Sequence, residues 1–149
     1  MRVLLAIDDS ESSAVATKMV MDQAQPGKTE VRVLNVIKPP NLLVAREMVG
    51  YDATLENAWD QREEAAKQMV ESVAAKIRGT GATVDCCVEL GEPRTKILEM
   101  AEKWRADLIV MGSEQRNKHA DGIPEAIVRR AHCSVEIVRA PQKKIPELV

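Results

Sequence analysis

Two short segments hold the residue types best placed to do chemistry. Asp107-Leu-Ile-Val-Met-Gly-Ser113 is a brief apolar run ending in Met-Gly-Ser, the pattern of a buried parallel strand that delivers its carboxyl end to a ligand crevice. Arg2 to Ile7 is a second such run, and it ends on Asp8-Asp9-Ser10. A strand-to-helix loop that cradles phosphate needs glycines and a free helix amino terminus, so that backbone N–H groups can turn toward the anion. Behind Ser113 the chain instead reads Glu114-Gln-Arg-Asn-Lys-His-Ala-Asp121, and glycine comes only at Gly122. Arg116, Lys118 and His119 in that loop suit either a solvated surface or contacts to a phosphate, while Asp121 is placed to cap the following helix and occupy its positive end in place of a phosphate.

Asp8 fits two roles, contact with a ribose at a strand end or capping of the helix that starts near Glu11. His132 beside Cys133 suggests a dyad, but neighbours in sequence rarely aim their side chains at each other, and no acidic orienter is evident. Cys86, Cys87 and Cys133 lack the spacing of a zinc or redox site, and adjacent residues in a strand point to opposite faces. No metal site and no catalytic residue is expected. The three aromatic residues, Tyr51, Trp59 and Trp104, offer few platforms for stacking bases.

These residues need a scaffold, and the composition supplies one. The 149 residues, 45% hydrophobic and 30% charged, suit one globular domain over 1–140 with a tail over 141–149. A net charge of -2 with acids and bases interspersed argues against nucleic acid and against a disordered charged arm. The apolar start is too short for a signal peptide or a membrane span, so a cytoplasmic location is expected. Strands are predicted over Arg2 to Ile7, Glu30 to Ile37, Ala82 to Leu90, Asp107 to Met111 and Ser134 to Arg139. Helices are predicted from Glu11 to a stop at Gln25-Pro26-Gly27, from Thr54 to Arg78, after Gly91-Glu92-Pro93 with Glu99 able to pair with Lys103, and from Pro124 to about Ala131. Glu63 and Glu64 lie on a solvated helix face. The stretch from Asn41 to Asp52 reads as a partly ordered lid. Val84, Cys86, Val88 and Leu90 alternate with polar residues, which suggests an edge strand with one wet face. Strand and helix alternate throughout, the pattern of a parallel α/β sheet with helices on both faces.

The ordered set Val3-Leu-Leu-Ala-Ile-Asp-Asp-Ser-Glu-Ser-Ser13, Val33-Leu-Asn-Val36, Gly91-Glu-Pro93, Asp107-Leu-Ile-Val-Met-Gly-Ser113 and Ala131-His-Cys-Ser-Val135 resembles the universal stress protein family. The resemblance implies an open five-stranded parallel sheet of order 3-2-1-4-5, Rossmann-like and akin to the adenine nucleotide alpha hydrolases. It also implies a homodimer joined through the last strand, around Val135 and Ile137. Some members bind ATP or related adenine nucleotides at the carboxyl ends of strands one, two and four, with a G-x-x-G-x9-G motif followed by Ser or Thr. Carried onto this chain, that site comprises Ala6, Ile7, Asp8, Val36, Met111 and Gly112. Gln115 stands where the motif's second glycine belongs, so the nucleoside half is kept and the phosphate half departs. Two functions follow from this. The leading one is a non-enzymatic stress-response module with weak or absent ATP binding and an unknown protein partner. The alternative is an adenine-nucleotide switch for ATP, AMP or cyclic AMP that favours fewer phosphates than ATP. An adenylating enzyme lacks both a phosphate loop and a paired base and nucleophile.

Overall fold

The computed structural model describes residues 1–39, 53–113 and 122–141. The expected lid, the loop residues Arg116, Lys118, His119 and Asp121, and the tail beyond Pro141 lie outside the described residues.

In chain order the elements are β1 (Arg2–Ala6), α1 (Glu11–Gln23), β2 (Glu30–Ile37), α2 (Ala53–Arg78), β3 (Thr83–Leu90), α3 (Pro93–Trp104), β4 (Leu108–Ser113), α4 (Ile123–Arg130) and β5 (Ser134–Arg139). All strand pairs are parallel, and the sheet order is β3-β2-β1-β4-β5. The order expected from the resemblance is therefore the one observed. β1 lies between β2 and β4, with Ala6 in register with Leu34 on one side and Met111 on the other. The order reverses between β1 and β4, where α/β sheets open a crevice at their carboxyl ends.

β1 reads as a continuous apolar run because both of its faces are buried. Val3, Leu5 and Ile7 enter one core with Val20, Val33, Val70, Ile77 and Val110, which α1 and α2 cover. Leu4 and Ala6 enter the other with Leu34, Ile97, Ile109, Met111 and Ile127, beneath α3 and α4. Adjacent residues of one strand thus feed opposite layers. Cys86 and Cys87 follow the same rule, one packing against each core.

Local chemistry explains where the helices start and stop. Ser10 caps α1, its Oγ accepting from the Ser13 N–H at 3.2 Å. Glu92 caps α3 through its carboxylate, and Pro93 fills the first turn. α1 ends at Gln23, two residues before the expected stop, because the chain leaves the helix at Ala24 with extended backbone. The turn that follows carries Gly27 at a positive φ of 72°.

Three expectations are corrected. β4 starts at Leu108 rather than Asp107 and runs on to Ser113; the Asp107 carboxylate instead accepts from the Arg2 N–H at 2.8 Å, stapling the starts of β4 and β1. Glu99 pairs with Lys96 at 3.6 Å, one turn back, and not with Lys103. β3 is an edge strand as expected, but its faces are not cleanly dry and wet: Cys87 and Glu89 are half-buried, while Leu90, the strand's last residue, is 43% exposed.

Candidate functional site

The crevice is built on a pinned end of β1. The Ile7 N–H donates to the Leu34 carbonyl at 2.9 Å, and the buried Asn35 side chain donates from Nδ2 to the Ile7 carbonyl at 2.6 Å. An amide in the middle of an apolar strand is costly unless it is satisfied, and Asn35 is satisfied by tying β2 to the exit of β1.

Asp8 then leaves the sheet. Its Oδ1 accepts from the Ser10 N–H at 2.9 Å and from the Ser13 hydroxyl at 2.8 Å, while its own N–H donates to Ser13 Oγ at 2.9 Å. An acidic side chain holding the N–H two residues on is an Asx turn, a standard way to open a helix. Ser10 Oγ lies 3.0 Å from Ser12 Oγ, which extends the network into the first turn of α1. Asp8 therefore supports the helix start from outside while Ser10 is the cap itself. Oδ2 of Asp8 takes no hydrogen bond from any described residue, and the side chain is exposed.

Gly112 faces this turn from β4. A Cβ at that position would lie 2.5 Å from Ser12 Oγ and 2.6 Å from the Ser12 carbonyl carbon. Glycine is thus required for α1 to seat its first turn on the end of β4, whatever the crevice holds. Ala6 and Met111 are buried side by side toward α3 and α4, with half-buried Val36 on the same face. Ile7 points the other way, into the core under α1 and α2. Of the six expected site residues, then, Ala6, Val36 and Met111 share one face, Asp8 and Gly112 border the strand ends, and the Ile7 side chain stands apart from them.

The sequence reading missed Asn35, Ser12 and Ser13. Their signals were present, a polar residue inside an apolar strand and a run of serines after two aspartates, but each partner is set by the fold.

At the start of α4 the first cap residue is Gly122, in left-handed conformation at φ 66° and with no side-chain cap hydrogen bond. The proposed carboxylate cap from Asp121 falls outside the described residues. At the opposite end of the sheet, burial first and then nearby Asp107 push the Cys133 thiol upward, away from the thiolate a nucleophile needs. Among the described residues no cluster of three or more His, Cys, Asp or Glu is arranged to hold a metal, and no helix is long and apolar enough to cross a membrane.

A model of the universal stress protein family matches residues 1–139. The chain belongs to that family. A universal stress protein of Methanocaldococcus jannaschii, MJ0531, is 26% identical over 151 residues, an alignment that covers 96% of this chain and 84% of the relative. Solved structures share the fold. Hypothetical protein MJ0577 superposes with a TM-score of 0.78 at 22% identity, covering 95% of this chain and 97% of its own. An Arabidopsis thaliana universal stress family protein with AMP bound gives 0.71 at 16% identity, covering 99% and 96%. The universal stress protein from Archaeoglobus fulgidus in complex with dAMP gives 0.65 at 17%, covering 93% and 97%.

Proposed function

We propose that this universal stress protein binds an adenine nucleoside or its monophosphate at the carboxyl ends of β1, β2 and β4, as a binding module and not an enzyme. The observation that carries the proposal is the state of Asp8. One carboxylate oxygen is fixed by two donors, and the other has no partner among the described residues. It stands at the point where the strand order reverses, where such sheets take their ligands. A carboxylate held in place by its own turn is preorganised to accept from a ligand hydroxyl or amine, and such charge-assisted bonds are stronger than neutral ones.

Ala6, Val36 and Met111 supply an apolar wall for a base. Ile7 and Gly112 contribute through their backbone positions alone, since the side of Gly112 where a Cβ would stand is filled by Ser12. The structures with AMP and dAMP belong to relatives of the same fold, and both ligands carry a single phosphate. The loop sequence from Glu114 to Asp121 has no glycine, so a triphosphate gains little beyond the first phosphate.

A second reading, a regulatory module that uses no nucleotide, draws on a specific observation too. The Asx turn and the contact of Gly112 with Ser12 account for both residues without a ligand. Calorimetry with adenosine, AMP and ATP separates the two. The first reading expects AMP to bind and Asp8→Ala to weaken it by about 1.5–3 kcal/mol, roughly ten- to a hundredfold. Under the second, none of the three binds.

A further inference from the structure

A groove of about 400 Å³ runs between α1 and α2, on the opposite face of the sheet from Ala6, Val36 and Met111. Its size falls within the range of small-molecule sites. Met21, Met69 and Val73 form the floor, and each is only partly buried against the core below. Lys18 from α1 and Lys76 from α2 stand on its rim. Neither lysine forms an ion pair with a described residue. Asp8 and Asp9 close the other end of the groove, about 10 Å of helix rise from Lys18.

We infer that this groove binds a medium-chain aliphatic monocarboxylate, its head group at Lys18 and Lys76 and its chain over Met21, Met69 and Val73. An apolar floor excludes small inorganic anions, which gain nothing from it, and favours a ligand with a hydrocarbon body. Methionine suits that task, since its unbranched, polarizable side chain adapts to flexible chains. The two lysines attract an anionic head to their end of the groove. Like-charge repulsion from Asp8 and Asp9 keeps that head away from the far end and so fixes the ligand's direction. The groove meets the proposed nucleotide crevice at Asp8, so the experiment is run without nucleotide.

The experiment titrates the full chain with butanoate, hexanoate and octanoate below their micelle concentrations, following backbone amide shifts by NMR. Affinity is expected to rise about fourfold for each buried methylene, with the shifts concentrated on residues 13–21 and 69–76. Lys18→Gln with Lys76→Gln, both exposed positions, is expected to lower octanoate affinity about tenfold and to leave that for 1-octanol unchanged. Affinity indifferent to chain length, shifts centred elsewhere, or a double variant that binds octanoate as before would each overturn the inference.

Discussion

Gly112 and Ser12 meet so closely at the end of β4 that the first turn of α1 rests where a side chain of residue 112 would stand. A methyl group there would press on Ser12 backbone as well as on its hydroxyl, so a rotamer change alone cannot relieve it. The contact couples the position of the Asp8 turn, through α1, to the strand on the far side of the switch point.

Gly112→Ala should therefore destabilise the fold by about 1–3 kcal/mol, the usual cost of forcing atoms into a packed interior. Each kcal/mol corresponds to a fall of roughly 2–4 °C in Tm at this size. Urea unfolding and calorimetric Tm, measured without ligand, check this. An unchanged midpoint would mean that α1 does not lean on β4 as described.

Cys87 predicts a pH dependence. Burial pushes its thiol from 9.0 up to about 11, with Arg32 acting in the opposite direction. The folded chain therefore holds that proton more tightly than the unfolded chain, so stability is full below pH 9 and declines as pH rises from about 9 to about 11. Because the thiol is only half-buried, solvent screening keeps the effect modest. Urea midpoints at pH 8, 9.5 and 11 for the native chain and for Cys87→Ala give the test. The variant should show the shallower decline; parallel curves would remove Cys87 as the cause.

Among the described residues β5 pairs only with β4, which leaves its outer edge without a strand partner there. Val135 and Ile137 on this strand are half-buried. Open edges invite pairing with a second copy, and a two-fold arrangement closes the sheet without further growth. Sedimentation should give a particle of twice the 16.5 kDa chain mass. Val135→Lys should shift it toward the single chain while circular dichroism stays unchanged. A native chain sedimenting at the single-chain mass across the micromolar range would contradict a dimer through this strand.

The fold was legible because its strands carry local signatures. β1 and β4 are apolar on both faces, and Pro26-Gly27, Gly79 and Gly81, and Gly91-Glu92-Pro93 punctuate the segments between elements. The strand order rested on the family resemblance and is the one observed. The site was less legible, since its decisive contacts join distant parts of the chain: Asn35 to Ile7, 28 residues apart, and Gly112 to Ser12. Periodicity reports which face a residue occupies, not which distant partner it meets. Asp8 shows the same limit. Its type and position suited either a ligand contact or a helix start, and the geometry shows one oxygen fixed in a turn while the other has no partner among the described residues. Glu99 was expected to meet Lys103 and meets Lys96 instead, because three- and four-residue spacings both place charges within reach on a helix.

The central claim, a nucleoside site anchored on Asp8, is tested most directly by calorimetry with AMP on the native chain, Asp8→Asn and Asp8→Ala. Asn keeps an oxygen for the Ser10 and Ser13 donors and removes the charge, so it separates ligand binding from support of α1. The account predicts micromolar AMP binding by the native chain, ATP no more than severalfold tighter, and a loss of roughly tenfold or more in both variants with Asp8→Asn retaining the native Tm. AMP affinity unaltered by Asp8→Asn, or no AMP binding by a folded native chain, would contradict it.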